Sequence, residues 1–157
     1  MGPPHDVTDR LFVVRRVFRL NDSLPADTAP RWQWQRGGWL LVDRLTGHIS
    51  PMNLPDFDPV YSAASWYRDY VAYCGVSDDG KKTFAIVAQV NRRKPILRKP
   101  LAEATGDAPA PDSACSAEPA WQRSPSRVSF ETQAGARQTF AVRGHAVDVV
   151  NDEEDLE

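Results

Sequence analysis

A hydroxyl set between glycines opens the search for chemistry. In Gly75-Val76-Ser77-Asp78-Asp79-Gly80 the serine stands where a strand-to-helix elbow could present a nucleophile. Such an elbow needs its second glycine two residues after the serine, where Asp79 stands, and a helix next, where TFAIVAQV is strand-like. Ser77-Asp78-Asp79-Gly80 instead predicts a hairpin, with an aspartate that bonds nearby backbone and a glycine that tolerates positive φ. Cys74 needs a cation or base beside it to act as a thiolate, and no spacing places His48 or His145 there. His145 and Asp148 form an H-x-x-D pair that would share a helix face but splits to opposite faces of a strand. The three histidines, His5, His48 and His145, are too scattered for a metal site, and Asp56 and Asp58 lack the further oxygen ligands of a calcium loop. No metal and no cofactor is expected. The remaining candidates for an enzyme of dispersed residues, hydrolase-type, are Asp43, His48 and Asp69 near turn ends.

Two groups of residues are better suited to binding. Arg92, Arg93, Lys94, Arg98 and Lys99 place five positive charges within eight positions, enough to grip phosphate, lipid headgroups or an acidic partner. Charge and proline also protect an edge strand against aggregation, and that is the preferred reading of this run. Trp32, Trp34, Trp39, Tyr61, Trp66, Tyr67, Tyr70 and Tyr73 could line a stacking surface, but in an all-β chain most such rings fill the core. A Trp32 and Trp34 face left in solvent is the best binding candidate.

The elements that must position these groups are strands. The chain has 157 residues, enough for one independent core, with a 41 % apolar and 25 % charged content typical of globular proteins. Thirteen prolines and nine glycines disfavour long helices, while 10 % aromatics and frequent valine suit pleated surfaces. A net charge of −2 gives no global field for nucleic acid. No apolar run reaches the roughly 18 residues of a membrane helix. Pro3-Pro4-His5-Asp6 reads like a mature N-terminus, so the expected location is periplasmic or secreted if a signal peptide was removed, and cytoplasmic otherwise.

RLFVVRRVFRL predicts a strand from about Leu11 to Leu20; RWQWQ another, with Trp32 and Trp34 on one face; and Gly37-Gly38 a hairpin turn into WLLVDR. HISPMNL adds a strand. In DYVAYCGV strand alternation outweighs the helical spacing of Tyr67, Tyr70, Val71 and Cys74. TFAIVAQV predicts a central strand, Asn91-Arg92-Arg93 a turn, and KPILRKPL an edge strand because Pro95 and Pro100 cannot donate to a ladder. Residues 102–126, rich in Ala, Pro and Ser, predict a long loop anchored by Cys115 and Trp121; residues 127–150 predict a hairpin and one more strand, and residues 151–157 an acidic tail that could fold back on the basic run. The sum is a single all-β domain of about nine or ten strands, an antiparallel meander forming a compact sandwich or a partly open barrel.

WLLVDRLTGHISPMNL and TFAIVAQVNRRKPILRKPL share a strand, polar turn and proline-containing strand at an offset of about 45 residues. This rhythm resembles a β-propeller blade, and two such blades are the alternative fold. The series Ser65-Trp66-Tyr67-Arg68-Asp69-Tyr70, Ala72-Tyr73-Cys74-Gly75, Arg93-Lys94-Pro95 and Cys115 before Trp121 is similar to small, often exported bacterial β-proteins that carry no assigned activity. The resemblance implies a compartment only. In an exported protein Cys74 and Cys115 would bridge a loop of about 40 residues, contributing roughly 4 kcal/mol on a chain-entropy basis. The expected function is a non-enzymatic interaction or structural β-module with a protein or cell-envelope partner. The alternatives are the dispersed-residue enzyme and a polyanion or nucleic-acid binder working through the basic edge.

Overall fold

The computed structural model describes residues 3–59, 62–103, 118–131 and 137–150, and all of their regular structure is β. Among these residues twelve strands form three open antiparallel sheets, each of four strands in chain order. β1 (His5–Asp6), β2 (Leu11–Asn21), β3 (Trp32–Asp43) and β4 (Ile49–Pro51) make the first. The second contains β5 (Ser65–Tyr67), β6 (Tyr70–Val76), β7 (Lys82–Gln89) and β8 (Leu97–Glu103), and the third β9 (Ala120–Gln122), β10 (Arg127–Glu131), β11 (Arg137–Arg143) and β12 (Ala146–Val150). The all-β meander expected from composition is therefore what the chain builds. No barrel closes among the described residues. The chain divides into two compact units, Met1–Asn53 and Leu54–Glu157.

In the second unit, alternation sorts the side chains of β6 and β7 onto two buried faces. Ala72 and Cys74 pair with Val87 and Ala85 and pack against Val128, Phe130, Phe140 and Val142 of the third sheet. Val71 and Tyr73 pair with Ala88 and Ile86 on the opposite face, which Leu54, Phe57 and Trp66 cover. Both faces being covered, YVAYCG and TFAIVA carry almost no polar residue, as central buried strands require. The two sheets are thus layers of a sandwich. Hydrogen bonds that cross between them include Trp121 Nε1 to the Ser65 carbonyl at 2.9 Å, Tyr70 Oη to the Gly144 carbonyl at 2.7 Å, and Tyr67 Oη to the Arg123 carbonyl at 3.3 Å. Stacking of Trp121 on Tyr67, with centroids 5.2 Å apart, makes Trp121 the anchor its sequence setting predicts.

The Ser77–Gly80 hairpin forms as expected. The Gly80 amide donates to the Ser77 carbonyl at 2.8 Å with Gly80 at φ 72°, and Asp79 Oδ1 accepts from Ser77 Oγ at 2.6 Å and the Lys81 amide at 3.0 Å. Pro100 sits on the edge strand β8, where the register slips between Thr83 and Phe84 and a missing amide is tolerated. β8 and β9 extend into the segment expected to be a loop. Short strands β1, β5 and β9 raise the strand number above expectation because two- and three-residue segments carry too little alternation to be read.

The first unit corrects one expectation. Gly37-Gly38 is no hairpin turn: β3 runs through it without a break, and the ladder shifts there from Arg15↔Trp39 to Val17↔Arg36, so that two glycines oppose Arg16 alone. This is a β-bulge, the other meaning of glycine inside a strand. A Cβ on Gly37 would lie 3.3 Å from Phe18 Cε1 and 3.4 Å from Arg16 Cβ, and Arg15 Nε donates to the Gly37 carbonyl at 2.7 Å.

Candidate functional site

β2 and β3 outrun their neighbours. β1 pairs only with Phe12 and Val13, and β4 only with Leu40, Leu41 and Val42, so beyond the bulge β2 and β3 continue as a two-stranded ribbon. Its five pairs run from Val17↔Arg36 to Asn21↔Trp32. Asn21 closes the far end, its Oδ1 accepting from the amides of Ser23 at 3.1 Å and Arg31 at 3.0 Å.

Residues paired across an antiparallel ribbon share a face, so Trp34 with Arg19, Trp32 with Asn21, and Arg36 with Val17 lie on one side. Trp34 is 72 % exposed and Trp32 53 %. The Arg19 guanidinium lies 4.3 Å from the Trp32 ring centroid, a cation–π contact that also shields part of that ring. Val17, Trp34, Gln35 and Arg36 line a depression of about 520 Å³. The aromatic face anticipated from RWQWQ is real and open, whereas the other described rings of that set are employed in packing. Tyr73 is fully buried, Trp66 and Tyr70 flank the two cores, and Trp39 lies beneath the Arg15 guanidinium at 5.6 Å. Tyr61 lies outside the described residues. Arg19 and Arg36 were not among the expected binding residues: with Gly37-Gly38 taken as a turn, no ribbon pairs them with the tryptophans.

The five-charge basic run does not act as one patch. Arg98 and Lys99 are neighbours on a strand and point to opposite faces. Arg98 lies 4.0 Å over the Phe84 ring and donates to Asp56 at 3.0 Å, while Lys99 Nζ lies 5.7 Å from the Phe140 centroid on the other side. Arg92, Arg93 and Lys94 are exposed at the β7–β8 connection, which turns at Asn91 with φ 70°. The acidic tail expected to oppose them lies outside the described residues.

The catalytic candidates are occupied structurally. Both carboxylate oxygens of Asp43 accept from Arg10 Nε at 2.9 Å, and Oδ1 also accepts the amides of Leu45 and Thr46 at the β3–β4 turn. These bonds, the Arg10 hydrogen bond first, hold its pKa far below the usual carboxylate range. Asp43 and His48 face each other only through backbone, the Asp43 amide donating to the His48 carbonyl at 2.9 Å. Asp69 Oδ2 accepts from Gln89 Nε2 at 2.7 Å. Asp56 is held by Arg98, and no group of three or more potential metal ligands occurs among the described residues. Cys74 is 7 % exposed within the sandwich core, away from solvent, and its expected partner Cys115 lies outside the described residues. Among the described residues no helix is long and apolar enough to cross a membrane. Comparison with protein-family models, curated proteins and solved structures finds no match to the chain.

Proposed function

We propose that the protein is a non-enzymatic interaction module whose contact surface is the Trp32, Trp34, Arg19 and Arg36 face of the β2–β3 ribbon. The observation that carries this reading is the exposure of two tryptophans on one face of a ribbon that no third strand accompanies among the described residues. Tryptophan and arginine are the residue types that most often dominate binding energy at protein interfaces, and a planar guanidinium resting on an indole is already ordered before contact. An isolated two-stranded ribbon is marginally stable in water, so a partner that covers this face gains from stabilising it. The favoured partner is a protein, at the cell envelope if the chain is exported. Export draws support from the often exported β-proteins the sequence resembles; a Cys74 to Cys115 bridge would add to it, and mass measurement with and without reductant would detect one as a difference of two hydrogen atoms.

A photo-crosslinking residue placed at Trp34, compared with the same residue at exposed Lys81 in the second unit, tests the contact surface in extract of the native host. Discrete adducts at position 34 that Trp32→Ala diminishes, and none at position 81, are expected. Equal labelling at both positions would overturn the reading.

A further inference from the structure

The turn after β7 and the turn before β12 meet, although 52 positions separate Arg93 from His145. Residues 91–96 and His145 together line a depression of about 600 Å³, a volume suited to a small ligand. Its charged groups are all cationic: Arg92, Arg93 and Lys94, none of them in an ion pair among the described residues.

A relay behind the depression assigns the tautomer of the imidazole. The Asp69 carboxylate can only accept, so Gln89 must turn its Nε2 towards it, at 2.7 Å. That leaves Gln89 Oε1 facing His145 Nδ1 at 2.7 Å, and an amide oxygen can only accept. Nδ1 therefore carries the hydrogen, and Nε2 is the ring nitrogen left for the depression, an acceptor when the ring is neutral and a donor when it is protonated.

We propose that this depression binds a free phosphomonoester. Three cations demand an anion, and a site that also offers a proton-accepting nitrogen selects an anion that carries a proton. A phosphomonoester gives up its second proton near pH 6, so both its monoanion and its dianion are present around neutrality, and it brings three acceptor oxygens. Monoanion on neutral imidazole and dianion on imidazolium are one bound state with the same proton count, differing only in which side of the hydrogen bond holds the proton. A phosphodiester has neither the titrating proton nor the second charge. A carboxylate is fully ionised at neutral pH and presents only two oxygens.

Phenyl phosphate is the probe, titrated into 15N-labelled protein at constant ionic strength maintained with sodium chloride. Expected are saturable shifts confined to the amides of residues 91–96 and to the His145 ring. Affinity should fall by about tenfold or more in Arg92→Ala/Arg93→Ala, the loss of charge-assisted bonds to phosphate. His145→Phe should narrow the preference for phenyl phosphate over dimethyl phosphate, leaving the part that the second charge gains from the cations; a preference left unchanged would remove His145 from the site. Shifts that grow linearly, that spread to Lys81 and Lys82, or that persist in the double variant would overturn the proposal. Binding to phosphatidic acid vesicles without binding of phenyl phosphate would overturn the free-ligand assignment in favour of a lipid headgroup. All variants retain Trp32 and Trp34, so this outcome is independent of the crosslinking at position 34.

Discussion

The β6–β7 pair and the outer half of the β2–β3 ribbon both send alternate side chains to two faces, yet they spend those faces differently. In β6–β7 each side chain meets another layer: one row packs on Phe130 and Phe140, the other on Leu54, Phe57 and Trp66. In the ribbon the larger rings face water. Aromatic content therefore does not by itself say where a core lies; the number of strands flanking a pair does, because a two-stranded ribbon has no third element under which to hide a ring.

Substitutions should grade along that difference. Phe140→Ala empties a fully buried ring that packs edge-on against Phe130 with centroids 5.7 Å apart, and is expected to cost about 3–5 kcal/mol in urea denaturation. Gly75→Ala pushes a methyl into Ile86 Cδ1 and to 3.1 Å from Asp56 Cβ, overpacking expected to cost about 1–3 kcal/mol in the same measurement. A smaller effect belongs to Tyr73→Phe, which leaves the ring in place but removes the 2.6 Å hydrogen bond to the Pro55 carbonyl, at about 1 kcal/mol.

In the first unit, Arg10→Ala should destabilise at neutral pH through loss of the Asp43 pair. A carboxylate whose pKa is depressed on folding contributes stability that is complete above its unfolded pKa of about 3.9 and fades as pH falls towards the folded value. The gap between wild type and Arg10→Ala should therefore be constant above about pH 5 and narrow on acidification below about pH 4. A gap that widened there would remove the ion pair as its cause.

Much of this difference was legible in the chain. The hairpin at Ser77–Gly80, the central strand ending at Gln89 and the edge strand carrying Pro100 follow from turn chemistry and from proline's missing amide, both local properties. The shared face of Trp32 and Trp34 follows from alternation alone. What sequence could not supply was pairing. Gly37-Gly38 fits a turn and a bulge equally well until the partner strand is known, and only the bulge brings Arg19 and Arg36 beside the tryptophans. Alternation would have shown Arg98 and Lys99 parting to opposite faces, but not that Asp56 and Phe140 wait for them. The meeting of His145 with Gln89 is a product of sheet stacking and leaves no mark in either segment.

Urea denaturation of Trp32→Ala/Trp34→Ala bears most directly on whether the ribbon's rings serve contact or core. Removing two rings that face solvent should cost no more than about 1 kcal/mol in total, chiefly the Arg19 stacking on Trp32. A loss of about 3 kcal/mol or more, the scale of an emptied aromatic core site, would mean that these tryptophans hold the fold together and leave the proposed contact surface without its central residues.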